Sequence, residues 1–211
     1  YIGDSLMVMW GMPTPLKNPC ELACQTAIAV RNASNGLRDE WSQQKAPLKF
    51  NTRIGLHYGE AIVGNVGAAD RFNYTMVGDT INVASRLEGA NKTYKTNIIV
   101  SDAILKQLEH ENASHRFAFR MIGEVTMKGK SKSTLIYELY DQCCSLRQPQ
   151  IEALDAWNRV KKQAIDHGNR AAFEQIEAES EELRMHPLLI QLKQELKASE
   201  QSTHRTIDSD G

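Results

Sequence analysis

The sequence predicts an α/β or α+β fold in which strands and helices share one hydrophobic core. Two patterns indicate this class. Short apolar runs bounded by glycine or proline are typical of strands, and longer stretches with apolar residues three and four positions apart are typical of helices. With 211 residues, of which 41% are hydrophobic and 24% charged, the chain can form one core and an appendage.

The first predicted elements are a strand at residues 2–10 and a long helix after a proline-rich loop. Asn18 and Pro19 are typical of a helix start, because asparagine caps free amide groups and proline suits the first helical position. The helix is expected to end near Gln44. Four of its residues are expected to face the core: Leu22, Thr26, Ala29 and Val30.

Strands and helices then alternate as far as residue 140. Strands are predicted at 50–57, 61–66, 74–77, 97–100, 117–127 and 134–140, the first two as a pair. Helices are predicted at 80–90, capped by Asp79, and at 102–108.

After the last predicted strand the pattern becomes entirely helical. We expect a first domain at residues 1–141, a linker at 142–150, a helical tail at 151–198 and a disordered tail at 199–211. The helices around Gly168 are faintly similar to one tetratricopeptide-type hairpin, but the sequence contains no second copy of it. A helical cap on the first domain or on a partner is therefore the favoured interpretation.

Composition argues against several classes of function. The net charge of -1 gives no reason to expect nucleic acid or an anionic membrane as a partner. The longest apolar runs are shorter than the roughly 20 residues that cross a bilayer. Cys20 and Cys24 lie at helical spacing and Cys143 and Cys144 are adjacent, so we expect four reduced thiols in a cytosolic setting and no zinc site.

The most informative stretch is residues 71–88, which places Asn82 and Arg86 four positions apart near the start of a predicted helix. This spacing puts both side chains on one helical face. An amide beside a guanidinium can bind a sugar and a phosphate, because arginine offers a fixed fork of donors. In isolation, an arginine at such a position is more often part of a solvated helix surface.

Asn82 and Arg86 are not isolated, and their surroundings favour the ligand-binding interpretation. Three segments occur in order: YIGDSLMVMWG at 1–11, RIGLHYGEAIVGNVG at 53–67 continuing into FNYTMVGDTINVASRLE at 72–88, and TMKGKSKSTLIYELY at 126–140. Together they closely resemble the catalytic domain of class III nucleotidyl cyclases, the adenylyl and guanylyl cyclases, and the bacterial-type adenylyl cyclases in particular. The resemblance covers about the first two thirds of the chain. It implies an α+β fold, a ferredoxin-like βαββαβ cyclase palm with an extra hairpin, followed here by the helical tail.

The resemblance also implies roles for particular residues. Asn82 would orient the ribose, and Arg86 would stabilise the charge that develops on the α-phosphate. Lys128 would contact the terminal phosphates, and Asp4 would be the second of the family's two metal-binding aspartates. The implied cofactor is a pair of Mg²⁺ ions that clamp the attacking and leaving oxygens, with Mn²⁺ as an alternative.

Thr75 bears on which base is bound. Threonine here is similar to many bacterial and bicarbonate-responsive soluble adenylyl cyclases, where it pairs with a lysine. A hydroxyl both donates and accepts, so it discriminates between bases less sharply than a carboxylate does. ATP is therefore favoured over GTP as the substrate.

The implied function is that of an adenylyl cyclase, which converts ATP to 3′,5′-cyclic AMP and pyrophosphate in intracellular signal transduction. The alternatives are a guanylyl cyclase and a catalytically inactive cyclase-homology domain that acts as a regulatory or binding module. In this family one subunit supplies the metal aspartates and the other the Thr, Asn, Arg and Lys set. Because this chain carries residues of both sets, we expect a homodimer with shared active sites and an inert monomer.

In the family, a first strand, a helix pair, the first metal aspartate and the base-selecting lysine come before the position that Tyr1 occupies. We therefore expect the chain to be N-terminally truncated and the 211-residue piece to be inactive alone. We also expect a cytoplasmic catalytic domain, whose parent protein can carry a sensor or a membrane anchor upstream.

Overall fold

A computed structural model describes residues 5–43, 50–68, 71–126 and 133–207, with the backbone alone at 66–68, 71–74 and 200–207. The strands are β1 (Ile54–Leu56), β2 (Ile62–Ala68), β3 (Arg71–Val77), β4 (Ile98–Ser101), β5 (Phe117–Thr126) and β6 (Ser133–Gln142). The α-helices are α1 (Pro19–Ser42), α2 (Asp79–Tyr94), α3 (Asp102–His110), α4 (Gln148–His167), α5 (Asn169–Ala178), α6 (Glu181–Arg184) and α7 (Pro187–Ile207).

The main sheet has the order β1-β4-β6-β5. Strands β1 and β4 are parallel and joined by a crossover that contains α2, whereas β6 is antiparallel to both β4 and β5. Strands β2 and β3 form a separate antiparallel hairpin. The predicted α+β class is confirmed, but the expected pairing of 50–57 with 61–66 is wrong, because β1 pairs with β4.

Helices cover both faces of the main sheet. Helices α1 and α3 pack on one face, around Ile98, Val100 and Leu139. Helix α2 packs on the other, where Val83 and Leu87 contact Ile99 and Ile136. Strand β4 is buried along its whole length, as expected for a strand with neighbours on both edges and helices on both faces.

The orientation predicted for α1 is wrong. Leu22 and Val30 are 41% and 42% exposed, and Thr26 and Ala29 are exposed as well. The buried residues are instead one glutamate, four small side chains and one isoleucine: Glu21, Cys20, Ala23, Cys24, Ala27 and Ile28. The helix is apolar on two sides, and the side with small residues is the one that contacts the sheet.

The predicted strand at residues 2–10 is not formed in the part of it that the structure describes. Ser5 makes an isolated bridge, and residues 6–9 have no regular structure. Leu6 and Val8 are 64% and 49% exposed, so the alternating pattern does not face a core here.

The helical tail has a hydrophobic core of its own, formed by α4, α5 and α7: Trp157, Val160, Ala172, Ile176, Leu192 and Leu196. Helix α4 starts inside the segment predicted as a linker, where the Arg147 amide donates to Gln150 Oε1 at 2.9 Å. Helix α7 runs to Ile207, past the predicted start of disorder at Ser199. None of the helices in the described part of the chain combines the length and apolarity needed to cross a bilayer.

Candidate functional site

The predicted pair lies on the solvent side of α2. Asn82 and Arg86 are both exposed, whereas Val83 and Leu87, one position further along in each case, are buried against the sheet. The four-residue spacing therefore places the amide and the guanidinium on one accessible helical face, as the sequence predicts.

The middle of α2 lies directly on the backbone of β1. A Cβ atom placed on Gly55 would be 2.2 Å from the Ala84 carbonyl oxygen and 2.3 Å from the Glu88 amide nitrogen. Both distances are shorter than any tolerable contact, and both involve main-chain atoms that cannot rotate away. Glycine at this position is therefore what allows the close packing of α2 on the strand. The two contacted residues flank Arg86.

Both ends of α2 are tied to the same segment of the chain. At the start, Thr80 Oγ1 donates to the Glu60 carbonyl at 2.5 Å. At the end, the buried Asn91 side chain donates to the carbonyls of Ile54 at 2.9 Å and Leu87 at 3.1 Å. It also accepts from Thr96 Oγ1 at 2.8 Å. These contacts tie the two ends of the helix that carries Asn82 and Arg86 to residues 54–60.

The entrance to α2 differs from the predicted cap. The helix begins at Asp79, and the capping position is held by Gly78, whose φ is 147°. Glycine adopts such a backbone without strain, so the chain can turn sharply from β3 into the helix. Asp79 takes the first helical position, where its negative charge complements the positive end of the helix dipole.

Thr75 lies on β3, which leads through Gly78 into α2. It is half-buried and pairs across the hairpin with Gly64. Further along the same hairpin, Ile62 pairs with Val77, and these side chains are 73% and 40% exposed. The hairpin thus presents an apolar pair to solvent close to the start of the helix that carries Asn82.

The two other predicted site residues, Asp4 and Lys128, lie outside the described residues. Strands β5 and β6 lead into and out of the segment that contains Lys128. Within the ranges that the structure describes, no three His, Cys, Asp or Glu side chains are grouped as metal ligands.

Sequence reasoning did not identify the residues that hold α2 in place. The sequence contains one signal for the close packing at Gly55. A glycine inside an apolar strand indicates that another part of the backbone approaches closely. Asn91 carried a weaker signal, since an asparagine near the end of a helix is usually solvated. His57, whose Nδ1 lies 2.6 Å from Ser101 Oγ, connects the carboxyl ends of β1 and β4 and was also missed.

Comparison with known proteins identifies related chains. The family model for the adenylate and guanylate cyclase catalytic domain matches residues 1–140. Adenylate cyclase 1 of Rhizobium meliloti (strain 1021) is 40% identical over 139 residues, which are 66% of this chain and 20% of the relative. The chain therefore spans about a fifth of that relative's length.

Two solved structures are also similar. The adenylyl cyclase CyaB from P. aeruginosa is 28% identical with a TM-score of 0.55, and the match covers 65% of this chain and 68% of that one. The guanylyl cyclase Cya2 is 25% identical with a TM-score of 0.50, and the match covers 63% and 64% of the two chains.

Proposed function

This chain belongs to the adenylate and guanylate cyclase catalytic domain family, and we propose that it is an adenylyl cyclase that forms 3′,5′-cyclic AMP and pyrophosphate from ATP. The observation that carries the proposal is the exposed pair Asn82 and Arg86 on α2. Sugar and phosphate ligands need such an accessible amide and guanidinium on one face, held by a rigid support.

In the proposed reaction, the ribose 3′ oxygen attacks the α-phosphorus and its proton passes to solvent water. The bond between the α-phosphorus and the pyrophosphate oxygen breaks, and pyrophosphate leaves. Negative charge then grows on the oxygens of the α-phosphate. Arg86 donates hydrogen bonds to those oxygens, and its charge stabilises the transition state more than the bound substrate. Asn82 holds the ribose so that its 3′ oxygen stands in line with the bond that breaks.

The family implies Mg²⁺ at this site. Asp4 is the one residue of this chain that we assign as a metal ligand. When bound, divalent ions would supply Lewis acidity at the attacking and leaving oxygens. Asp4 would hold such an ion together with phosphate oxygens, a donor set that suits Mg²⁺. The described part of the chain adds no cluster of three ligand side chains to it.

The choice of ATP rests on Thr75 and on the relatives. The Rhizobium meliloti relative and CyaB are adenylate cyclases, and the Thr75 hydroxyl can accept from an adenine amino group. Guanylyl cyclase activity is the second candidate, because Cya2, a guanylyl cyclase, is also a structural neighbour. Lys128, in the proposal, contacts the terminal phosphates and does not select the base.

The proposal includes a homodimer with shared sites. One copy supplies Asp4 and the other supplies Thr75, Asn82, Arg86 and Lys128 to each site. The exposed pair of Ile62 and Val77 supports this assembly. It forms an apolar surface next to α2, and such a surface is suited to contact with a second copy.

The test uses the full-length gene product with ATP or GTP and Mg²⁺ or Mn²⁺, with cyclic nucleotides separated by chromatography. We expect cyclic AMP as the main product and an activity about a hundredfold or more lower in Arg86→Ala. The matched control is Arg170→Ala, since Arg170 is 93% exposed and forms an ion pair with Glu174 of its own helix. Equal activity in the Arg86→Ala variant would refute the assignment, and nucleotide binding without turnover would favour the inactive-homology alternative.

A further inference from the structure

We propose that Trp157 and Asn158 of helix α4 are positioning residues for the nucleotide site, and that they act on α2 through an irregularity in strand β5. The inference rests on the proposed function of Asn82 and Arg86. It assigns a role to part of the helical tail, which starts beyond the residues 1–140 that the family model matches.

Helix α4 is attached to β5, which lies at one edge of the sheet that the described residues form. The Asn158 side chain accepts from the Met121 amide at 2.7 Å and donates to the Phe119 carbonyl at 2.8 Å. The Trp157 indole donates to the Met121 carbonyl at 2.7 Å. Two side chains of the tail therefore bind the edge of β5 as a further strand would.

These bonds are made beside an irregularity in β5. The register between β5 and β6 shifts between Met121 and Gly123, and Gly123 has a φ of 154°. Such a bulge bends a strand and redirects its side chains. Because the tail binds both polar backbone atoms of Met121, it fixes the bulge from its outer side.

The bulge is in contact with the residues that support α2. Ile122, inside the bulge, and Val125 pack against the cluster that contains Val83 and Leu87 of α2. Val83 directly follows Asn82, and Leu87 directly follows Arg86. A change in the path of β5 at Met121 would therefore move the surface on which the two site residues are carried, since packed interiors transmit such displacements.

A set of charges holds the indole of Trp157 in place. The Arg120 guanidinium lies 4.8 Å from its ring centre and the Lys161 ammonium 5.6 Å. Arg120 also forms an ion pair with Glu138, in which Arg120 Nε lies 2.7 Å from Glu138 Oε2. Burial raises the pKa of Glu138, while the adjacent Arg120 opposes that rise.

Only the α4 residues that face β5 are assigned this role. Arg159, the next residue along, binds Glu179 of the tail at 2.9 Å and serves as the matched control. Trp157→Phe keeps an aromatic ring but removes the indole donor. Asn158→Ala removes both bonds to β5, and Asn158→Asp keeps the acceptor for the Met121 amide but loses the donor to Phe119.

The first measurement is steady-state cyclase activity of the full-length protein. We expect Asn158→Ala and Trp157→Phe to lower kcat about tenfold with KM for ATP within about twofold, because a small displacement of Asn82 and Arg86 affects the transition state most. Asn158→Asp should lower kcat at least as much as Asn158→Ala, because one carboxylate oxygen would face the Phe119 carbonyl oxygen. Arg159→Ala should match the unchanged protein. Activity that falls only in proportion to the folded fraction would overturn the proposal.

The second measurement is amide hydrogen exchange in α2, which does not depend on turnover. We expect faster exchange at residues 83–90 in Asn158→Ala and Trp157→Phe, and no change there in Arg159→Ala. Unchanged exchange in α2 would overturn the coupling. If the unchanged protein forms no cyclic nucleotide, the proposed function fails, and the exchange data still decide whether the tail acts on α2.

Discussion

Gly55 faces the main chain of α2, where an added Cβ atom would meet the Ala84 carbonyl and the Glu88 amide, two positions before and two positions after Arg86. Its lack of a side chain sets how closely the helix approaches the sheet. Asn91 and Thr80 then fix the two ends of the helix. Residues that would not touch the nucleotide thus determine where Asn82 and Arg86 stand, which is a requirement of catalysis by positioning.

Replacing Gly55 by alanine should displace α2, because the new methyl group would meet the Ala84 carbonyl and the Glu88 amide. We expect kcat to fall at least about tenfold. Gly89→Ala is the control, since Gly89 lies in the same helix, an added Cβ atom there would meet nothing within 4 Å, and alanine favours a helix. Steady-state kinetics on folded protein make the measurement, and equal activity of the two variants would contradict this account.

The cysteines should differ sharply in reactivity. Burial, with the Glu111 carboxylate nearby, raises the pKa of Cys20 to about 12, and burial raises that of Cys24 as well. Cys144 is exposed. At pH 8, iodoacetamide should modify Cys144 long before Cys20 or Cys24, because only thiolates react. Peptide mass spectrometry would measure this, and labelling of all three at one rate in folded protein would contradict it.

The same shift sets the direction of a pH effect on stability. In the unfolded chain the thiol of Cys20 ionises near 9.0, whereas in the folded chain it stays protonated to about 12. Because the pKa of this thiol is higher in the folded state, its contribution to stability is fully present at pH values below the unfolded-state pKa. That contribution is lost as the pH rises from 9.0 toward 12, so the free energy of unfolding should decrease over that window.

At the scale of elements, α1 illustrates the limit of pattern reasoning. Both of its sides carry apolar residues, so periodicity alone cannot identify the buried side. The outcome depends on shape, since small residues such as Ala23, Cys24 and Ala27 allow close contact with the sheet. Helix α2 was easier to predict, because its polar pair and its apolar residues lie on opposite sides.

A pair of substitutions in α1 tests the corrected orientation. Ile28 is 3% exposed and Val30 is 42% exposed. Ile28→Ala should lower the free energy of unfolding by about 2–4 kcal/mol, as for other large-to-small changes in a core. Val30→Ala should change it by less than about 1 kcal/mol. Urea denaturation measures both values, and a larger loss for Val30→Ala would restore the orientation predicted from sequence.

For the whole molecule, the three sequence blocks predicted the family and the α+β class, and both are confirmed. The existence of tail helices also followed from periodicity. The sequence favoured a helical cap on the first domain or on a partner. The residues of β5 that α4 binds could not be predicted, because the contact requires a bulge and the Asn158 side chain to meet in three dimensions. The roles of Asn82, Arg86 and Thr75 remain predictions that rest on their placement.

Shared sites make activity depend on assembly. If each site needs two copies, specific activity should rise with protein concentration and level off once the dimer is formed. An enzyme dilution series would measure specific activity, and analytical ultracentrifugation would measure dimer formation over the same range of protein concentration. Full specific activity at concentrations where the protein is monomeric would contradict the shared-site arrangement.

In the dimer that we propose, Arg86 of one copy acts with Asp4 of the other on a single nucleotide. Arg86→Ala and Asp4→Ala chains can be co-expressed with different tags, and the mixed dimer purified through both. One of its two sites then carries both substitutions and the other carries neither. We predict about half of the unchanged protein's cyclic AMP formation in the mixed dimer, with each homodimeric variant nearly inactive. A mixed dimer as inactive as its parents would contradict the account.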